Sequence, residues 1–208
     1  MIELYAVVDA DGPPLPPALS AVTRDGLAFV CAPAREQKLS PERLWEHEAV
    51  VESLMADRDL VPVRYGSRVE DEGAAARALE ERHRELARAL DGVRGAVELS
   101  VRVLGDRANA SPRVEEASSG AEYLRAKVRS GVAEAGISHA VHEPLERLAR
   151  AAMQRPCTSP GELLRGAYLV ERPGVDDFVR QVSDLQAQHP ELRLLCTGPW
   201  PPYSFSAS

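Results

Sequence analysis

At 208 residues the chain has material for one large domain or two small ones, and 32 acidic against 25 basic residues leave a formal charge of −7. That balance argues against a general nucleic-acid or anionic-membrane surface, where basic side chains must meet phosphates. No stretch approaches the roughly 20 apolar residues needed to span a bilayer, and Met1-Ile2-Glu3-Leu4-Tyr5 lacks a signal-peptide design, so a cytoplasmic protein is expected.

Ile2 to Val8 alternates as a strand, and Asp11-Gly12-Pro13-Pro14 ends it. Asp25-Gly26 between Leu19 to Arg24 and Leu27 to Cys31 is the two-residue pattern of a β-hairpin. Ser40 with Pro41 opens a helix that carries Leu44, Glu48, Val51 and Met55 at helical spacing and ends near Asp57. Leu60 to Gly66 is a short strand that Pro62 restricts to an edge, a strand start or a bulge. Ala74 to Leu90 is a single amphipathic helix stopped by Asp91-Gly92. Ala96 to Leu104 alternates most clearly, with Val97, Leu99, Val101 and Val103 on one face.

After a small, polar loop to Ser119, Ala121 to Gln154 has helical character interrupted at Gly131, Gly136, Ser138 and Pro144. Val141, Leu145, Leu148 and Ala152 keep the 4-3-4 spacing of a coiled-coil seam, so a helical hairpin or a kinked long helix over 120–154 is expected. Gly166 to Glu171 reads as a strand, Val175 to Gln188 as a helix and Leu192 to Cys196 as a final strand. The class is α+β in two small domains, 1–91 and 92–208, each a sheet with helices on one face. The tail Thr197-Gly198-Pro199-Trp200-Pro201-Pro202-Tyr203-Ser204-Phe205 concentrates three prolines and three of the ten aromatics. Its prolines favour an extended segment outside a sheet, with Trp200 and Tyr203 on one side. It either seals the domain core or is offered to a partner, and sealing is favoured.

Chemistry-bearing patterns are sparse. Cys31, Cys157 and Cys196 are odd in number and far apart, which points to buried reduced thiols. Lys38 and Lys127 are the only lysines, and neither stands in a phosphate-binding loop. His47-Glu48 begins a zinc-protease pattern that Val51 breaks, so His47 reads as a partly buried histidine satisfied by a neighbour. His139 and His142 beside Glu143 fall short of a zinc ligand set and read as solvated helix-face residues. Arg64 reads as a largely covered arginine that either pairs internally with Glu48 or Glu52 or anchors a partner's carboxylate. An acid-base cluster of His47, Glu48 and Arg64 in a small enzyme, or a ligand-sensing α+β domain, is the rival reading to a binding protein.

Four segments carry a resemblance: Leu44 to Met55, Leu60 to Ser67, Ser119 to Leu124, and the Thr197 to Phe205 tail. In that order and spacing, marked by His47, Glu48, Tyr65, Gly66, Tyr123 and Thr197-Gly198-Pro199-Trp200-Pro201-Pro202-Tyr203 with Phe205, the chain resembles the gas vesicle protein F/L family (GvpF/GvpL). Val63, Tyr65, Ser67 and Ala121 depart from the residues familiar there, and Ala121 removes a charge. The resemblance implies a non-enzymatic accessory or minor structural protein of gas vesicles, with two modified ferredoxin-like domains and no cofactor or metal. Its implied partners are the major, GvpA-type shell protein, kept from aggregating during nucleation, and other gas vesicle accessory proteins. A place at the gas-facing side of the shell is implied too. The N-terminal half is the expected contact, through the Asp25-Gly26 hairpin, the strand marked by Pro62, and Arg64. The tail is expected to brace the fold with Trp200, Tyr203 and Phe205.

Overall fold

The Asp25-Gly26 dipeptide sets the first hairpin. Both residues have positive φ, 47° and 84°, the pair a type I′ turn demands, and they join β2 (Ser20–Arg24) to β3 (Leu27–Pro33) in antiparallel register. β1 (Ile2–Asp9) pairs with β3 on its other side, and β4 (Val61–Pro62) and β5 (Arg68–Val69) both pair with β1. The strand order is β2-β3-β1-β4, so Pro62 lies in an edge strand where a missing N–H costs no ladder bond. The computed structural model describes residues 1–34, 40–105, 136–159 and 161–206. Lys38, Lys127, Ala121, Tyr123 and the first part, 120–135, of the expected hairpin over 120–154 lie outside them.

Three helices cover this sheet. α1 (Pro41–Met55) begins where the Ser40 side chain accepts from the Arg43 amide, and it buries His47, Val51, Leu54 and Met55. The single helix expected over 74–90 is two, α2 (Glu72–Glu81) and α3 (His83–Val93), with a break at Arg82. Neither Gly nor Pro marks the break; His83 Nε2 there donates to the Asp25 carbonyl at 3.0 Å, a long-range contact that local spacing does not reveal. Nor does Gly92 stop α3. The chain reverses at Gly95, whose φ of 71° supplies the left-handed turn.

The second sheet has the order β7-β8-β6-β9, from β6 (Ala96–Gly105), β7 (Ala151–Gln154), β8 (Glu162–Glu171) and β9 (Leu192–Trp200). Its core gathers Leu99, Val101 and Val103 of β6 with Val141, Leu145, Tyr168 and Val170. α5 (Val175–Gln188) adds Phe178, Val182 and Leu185 to it. Two compact units result, Met1–Val97 with Trp200–Ser208, and Glu98–Pro199. Among the described residues no helix is long and apolar enough to cross a membrane.

The C-terminal part of the expected coiled-coil seam is not helical. A π-helical turn (Ser138–His142) and the single turn α4 (Glu143–Glu146) bury Val141 and Leu145, but Leu148 is 42% exposed and Ala152 lies in β7. Pairing of Ala151–Gln154 with Leu169–Gly166, extended by Arg150 N–H to the Leu169 carbonyl, overrides the local helical pattern. The wider π turn also carries His142 inward, 7% exposed and 2.8 Å from the Tyr168 hydroxyl, rather than into solvent. His139 stays outside, 3.1 Å from Glu143. Of the three free cysteines only Cys31 is buried; Cys157 is exposed and Cys196 half-buried.

The tail departs from expectation most. β9 continues through Pro199 to Trp200, which the edge position permits. Beyond it the chain turns instead of staying extended, with Tyr203 N–H to the Pro201 carbonyl and Phe205 N–H to the Pro202 carbonyl. Pro201 and Pro202 are buried, Trp200 is 41% exposed, and residues from Trp200 onward belong to the first unit rather than to a domain of 92–208.

In the second core a Cβ added at Gly166 would stand 2.6 Å from the Tyr168 ring, which is wholly buried between His142 and Phe178. At Gly105 the nearest atom, 2.7 Å away, is the movable end of Leu163. Gly166→Ala is therefore expected to lower stability by about 1–3 kcal/mol in urea denaturation, and Gly105→Ala by less.

Candidate functional site

A bulge in β1 organises the first unit. Register with β3 shifts between Leu4 and Ala6, so Tyr5 is an extra residue and the alternation resets. Glu3 and Tyr5 consequently line one cavity, while Leu4 and Val7, three apart, line another.

The first cavity, about 440 Å³, is walled by Glu3, Tyr5, Ala32, Arg43, Glu46 and His47. Glu3 and His47 are 3% and 2% exposed, which makes them the principal buried ionisable pair of this unit. His47 Nε2 donates to the Val63 carbonyl at 2.8 Å, and Nδ1 faces Glu3 Oε1 at 3.6 Å. The Arg68 guanidinium approaches Glu3 from β5 at 3.9 Å. Tyr5 stacks on the imidazole at 4.8 Å, and Tyr65 tilts against it at 5.6 Å. The Tyr65 hydroxyl accepts from the Ser40 amide at the start of α1. One ring thus joins β1, α1 and the segment after β4. Glu3 and Arg68 escaped the sequence reading, though a glutamate within an otherwise apolar strand was a visible signal.

The second cavity is a cleft of about 280 Å³ with a floor of Leu4, Val7, Phe29, Val61 and Leu86. Pro62, Arg64, Arg82 and Tyr203 stand around it. Arg64 is exposed rather than covered, and among the described residues its guanidinium makes no ion pair with Glu48 or Glu52. The chain turns directly after it at Gly66, φ 85°, where Ser67 N–H meets the Arg64 carbonyl. Glu48 instead accepts the Tyr203 hydroxyl at 3.0 Å, fastening the tail to α1. His47, Glu48 and Arg64 therefore do not converge: His47 lines one cavity, Arg64 the other and Glu48 neither. Asp25 and Gly26 are exposed at the hairpin tip beside Glu80 and His83, outside the cleft. Among the described residues no three His, Cys, Asp or Glu side chains are grouped to hold a metal ion.

Thr197, Gly198 and Pro199 are exposed in β9, with Gly198 at φ 122° ahead of a cis proline bond. Pro201, Pro202, Tyr203 and Phe205 then pack on the first unit. This arrangement, a tail closing onto a helix marked by His47-Glu48, extends over the whole chain, and residues 4–207 match the family described as gas vesicle synthesis protein GvpL/GvpF. The chain belongs to the GvpL/GvpF family. Gas vesicle protein L of a Streptomyces strain is 32% identical over 180 residues, covering 77% of this chain and 67% of that protein. Gas vesicle protein F of the same strain is 27% identical over 233 residues, covering 97% and 98%. The crystal structure of GvpF from Anabaena shares the fold with a TM-score of 0.84 at 19% identity, covering 100% of this chain and 96% of that one. The chain is thus a gas vesicle protein of α+β architecture, in a family of gas vesicle proteins rather than of enzymes.

Two measurements probe this unit. His47→Ala removes the donor to the Val63 carbonyl and leaves a void between the Tyr5 and Tyr65 rings, and is expected to cost about 1–3 kcal/mol in urea denaturation, the usual penalty for leaving a buried polar group without its partner. Burial pushes the ionisation of both Tyr203 and Tyr168 well above the usual tyrosine range, with the nearby Glu48 carboxylate adding to it at Tyr203 and Glu146 at Tyr168. The folded chain then holds these protons more tightly than the unfolded one. Stability is intact below about pH 10 and falls above it by up to about 1.4 kcal/mol per pH unit for each tyrosine. Tyr203→Phe is expected to flatten this alkaline loss in urea midpoints measured against pH.

Proposed function

We propose that the protein binds the small hydrophobic, GvpA-type shell subunit and limits its aggregation during vesicle nucleation and assembly. A subunit that excludes water on one face exposes an apolar surface until it is assembled, and such surfaces aggregate. The observation that carries the reading is the cleft beside Pro62. Its floor is apolar, its edge strand β4 has only two paired residues, and the Arg64 guanidinium stands exposed at its rim. An added strand or apolar side chain would find main-chain pairing and burial there, and a carboxylate would find Arg64.

The Asp25-Gly26 tip is a second element of the same contact in this reading, and other gas vesicle accessory proteins are further partners. The site of action is the gas-facing side of the shell. The strand order β2-β3-β1-β4 supports reading the first unit as a modified ferredoxin-like sheet.

Co-expression with the shell subunit tests the proposal. The subunit is expected to stay soluble and to co-purify, and failure of both overturns binding. Arg64→Glu is expected to reduce capture severalfold while leaving the far-UV circular dichroism unchanged, because Arg64 is exposed. Capture unaffected by Arg64→Glu places the contact outside the cleft.

A further inference from the structure

The Glu3 carboxylate is buried with its charge incompletely answered. It is 3% exposed, and the nitrogens that approach its oxygens among the described residues stand beyond hydrogen-bond length. His47 Nδ1 lies 3.6 Å from Oε1, and an Arg68 guanidinium nitrogen lies 3.9 Å from Oε2. Charged donors ordinarily close on a carboxylate to about 2.7–2.9 Å. His47 Nδ1 and Arg68 Nε are themselves buried without a hydrogen-bond partner among the described residues. The unmet polar groups of this unit therefore belong to the side chains that meet at one carboxylate.

The tautomer of His47 decides what is missing. The Val63 carbonyl only accepts, so Nε2, 2.8 Å from it, carries the ring proton. In the neutral ring Nδ1 is then a lone pair beside an oxygen that also only accepts. Two acceptors 3.6 Å apart are both satisfied by one group that carries several donors. Glu3 and His47 line the cavity of about 440 Å³, which gives such a group a way in. The other walls select its chemistry. Tyr5 supplies an aromatic ring, and Leu19, Pro33 and Val50 supply aliphatic surface. Arg43 and Glu46 answer each other at 2.8 Å, so the charge that faces the cavity unanswered is that of Glu3. A neutral donor would meet the hydrogen bonds without the charge, and an anion would add to it.

We infer that this cavity binds a primary ammonium carried on a short aliphatic stem. The head has three donors, one for Glu3 Oε1 and one for His47 Nδ1, and the Tyr5 ring adds a cation–π attraction. The stem lies along Leu19, Pro33 and Val50. Free alkylamines and the lysine side chain of a polypeptide share this chemistry. The site is separate from the cleft proposed for the shell subunit, because Arg64 and Pro62 line the other cavity, and neither reading depends on the other.

Titration of the full chain with n-pentylamine at about pH 8, followed by nitrogen–proton NMR of the histidine rings, tests this. An ordinary imidazole is neutral there, whereas an alkylammonium keeps its proton. Saturable binding with a Kd of about 1 mM is expected for so small a ligand. His47 Nδ1 is expected to shift upfield, as an unprotonated nitrogen does on accepting a hydrogen bond, while Nε2 stays protonated. n-Pentanol, with the same stem and no charge, is expected to bind at least about tenfold more weakly. Glu3→Gln keeps the shape and removes the charge, and is expected to weaken amine binding at least about tenfold with unchanged circular dichroism. Arg64→Glu, in the other cavity, is expected to leave amine binding unchanged. Nα-acetyl-lysine-N-methylamide separates the two sources: binding as tight as that of pentylamine assigns the site to a polypeptide lysine, and markedly weaker binding assigns it to free amines. A wild type whose His47 resonances do not move with pentylamine overturns the inference. So does equal binding of pentanol, or a His47 ring protonated at both nitrogens before any amine is added.

Discussion

A carboxylate buried inside a strand is the constraint on which the first unit is built. Glu3 is 3% exposed in β1, and an isolated charge there would be prohibitively costly to hold out of water. It is tolerated because α1 delivers His47 and β5 delivers Arg68 to it. The same imidazole donates from Nε2 to the Val63 carbonyl, so the side chain that meets Glu3 also fixes the segment that carries Pro62, Arg64 and Tyr65. Hydrophobic packing alone would leave that short, edge-bound segment free to slide, because two residue pairs define its register. The polar cluster supplies the specificity, and the bulge at Tyr5 makes it possible by directing Glu3 and Tyr5 into one cavity and Leu4 and Val7 into another.

What the sequence disclosed follows the range of the forces involved. Ser40 and Pro41 start α1 and Asp25-Gly26 makes a I′ turn for reasons contained within a few residues, and both features lie where the sequence places them. Gly95 ends α3 by equally local means, but Asp91-Gly92 upstream imitates the signal. The other misreadings are tertiary. Ala151–Gln154 carries a helical spacing and becomes a strand because β8 offers it a partner. Arg82 breaks a helix without Gly or Pro, next to a histidine that reaches the Asp25 carbonyl. Arg64 was expected to be covered and is exposed, since Glu48 is taken by a tyrosine 155 residues away. Of the candidate site, Pro62 and Arg64 were legible as an edge and a charge, whereas Glu3 and Arg68 acquire meaning only once the bulge and β5 bring them to His47.

The tail shows how far such contacts reach. After β9 the chain returns to the first unit, buries Pro201 and Pro202, and hydrogen-bonds α1 through Tyr203. The family's most recognisable segment is therefore a fastener, and the indole within it, Trp200, is the part left half outside. Because its partner lies 155 residues upstream, the cleft that Tyr203 borders is complete only once that long-range contact has formed. Contacts of such sequence separation form late, since their loop-closure entropy must be met before any gain.

α1 is consequently shared among three tasks by different sides of one helix. Its inner side gives His47 to the buried cluster, its flank gives Glu48 to the tail, and its outer side is left to Trp45 and the remaining glutamates. A soluble helix that packs on one side is expected to be polar on the other. This one is apolar at Leu44, Trp45 and Ala49 as well, and all three are exposed among the described residues. A helix pinned at two buried or half-buried polar contacts holds the backbone beneath Trp45 in a fixed position. Loosening His47 or Tyr203 would therefore blur the surface on which Trp45 stands, even though neither residue lies on it.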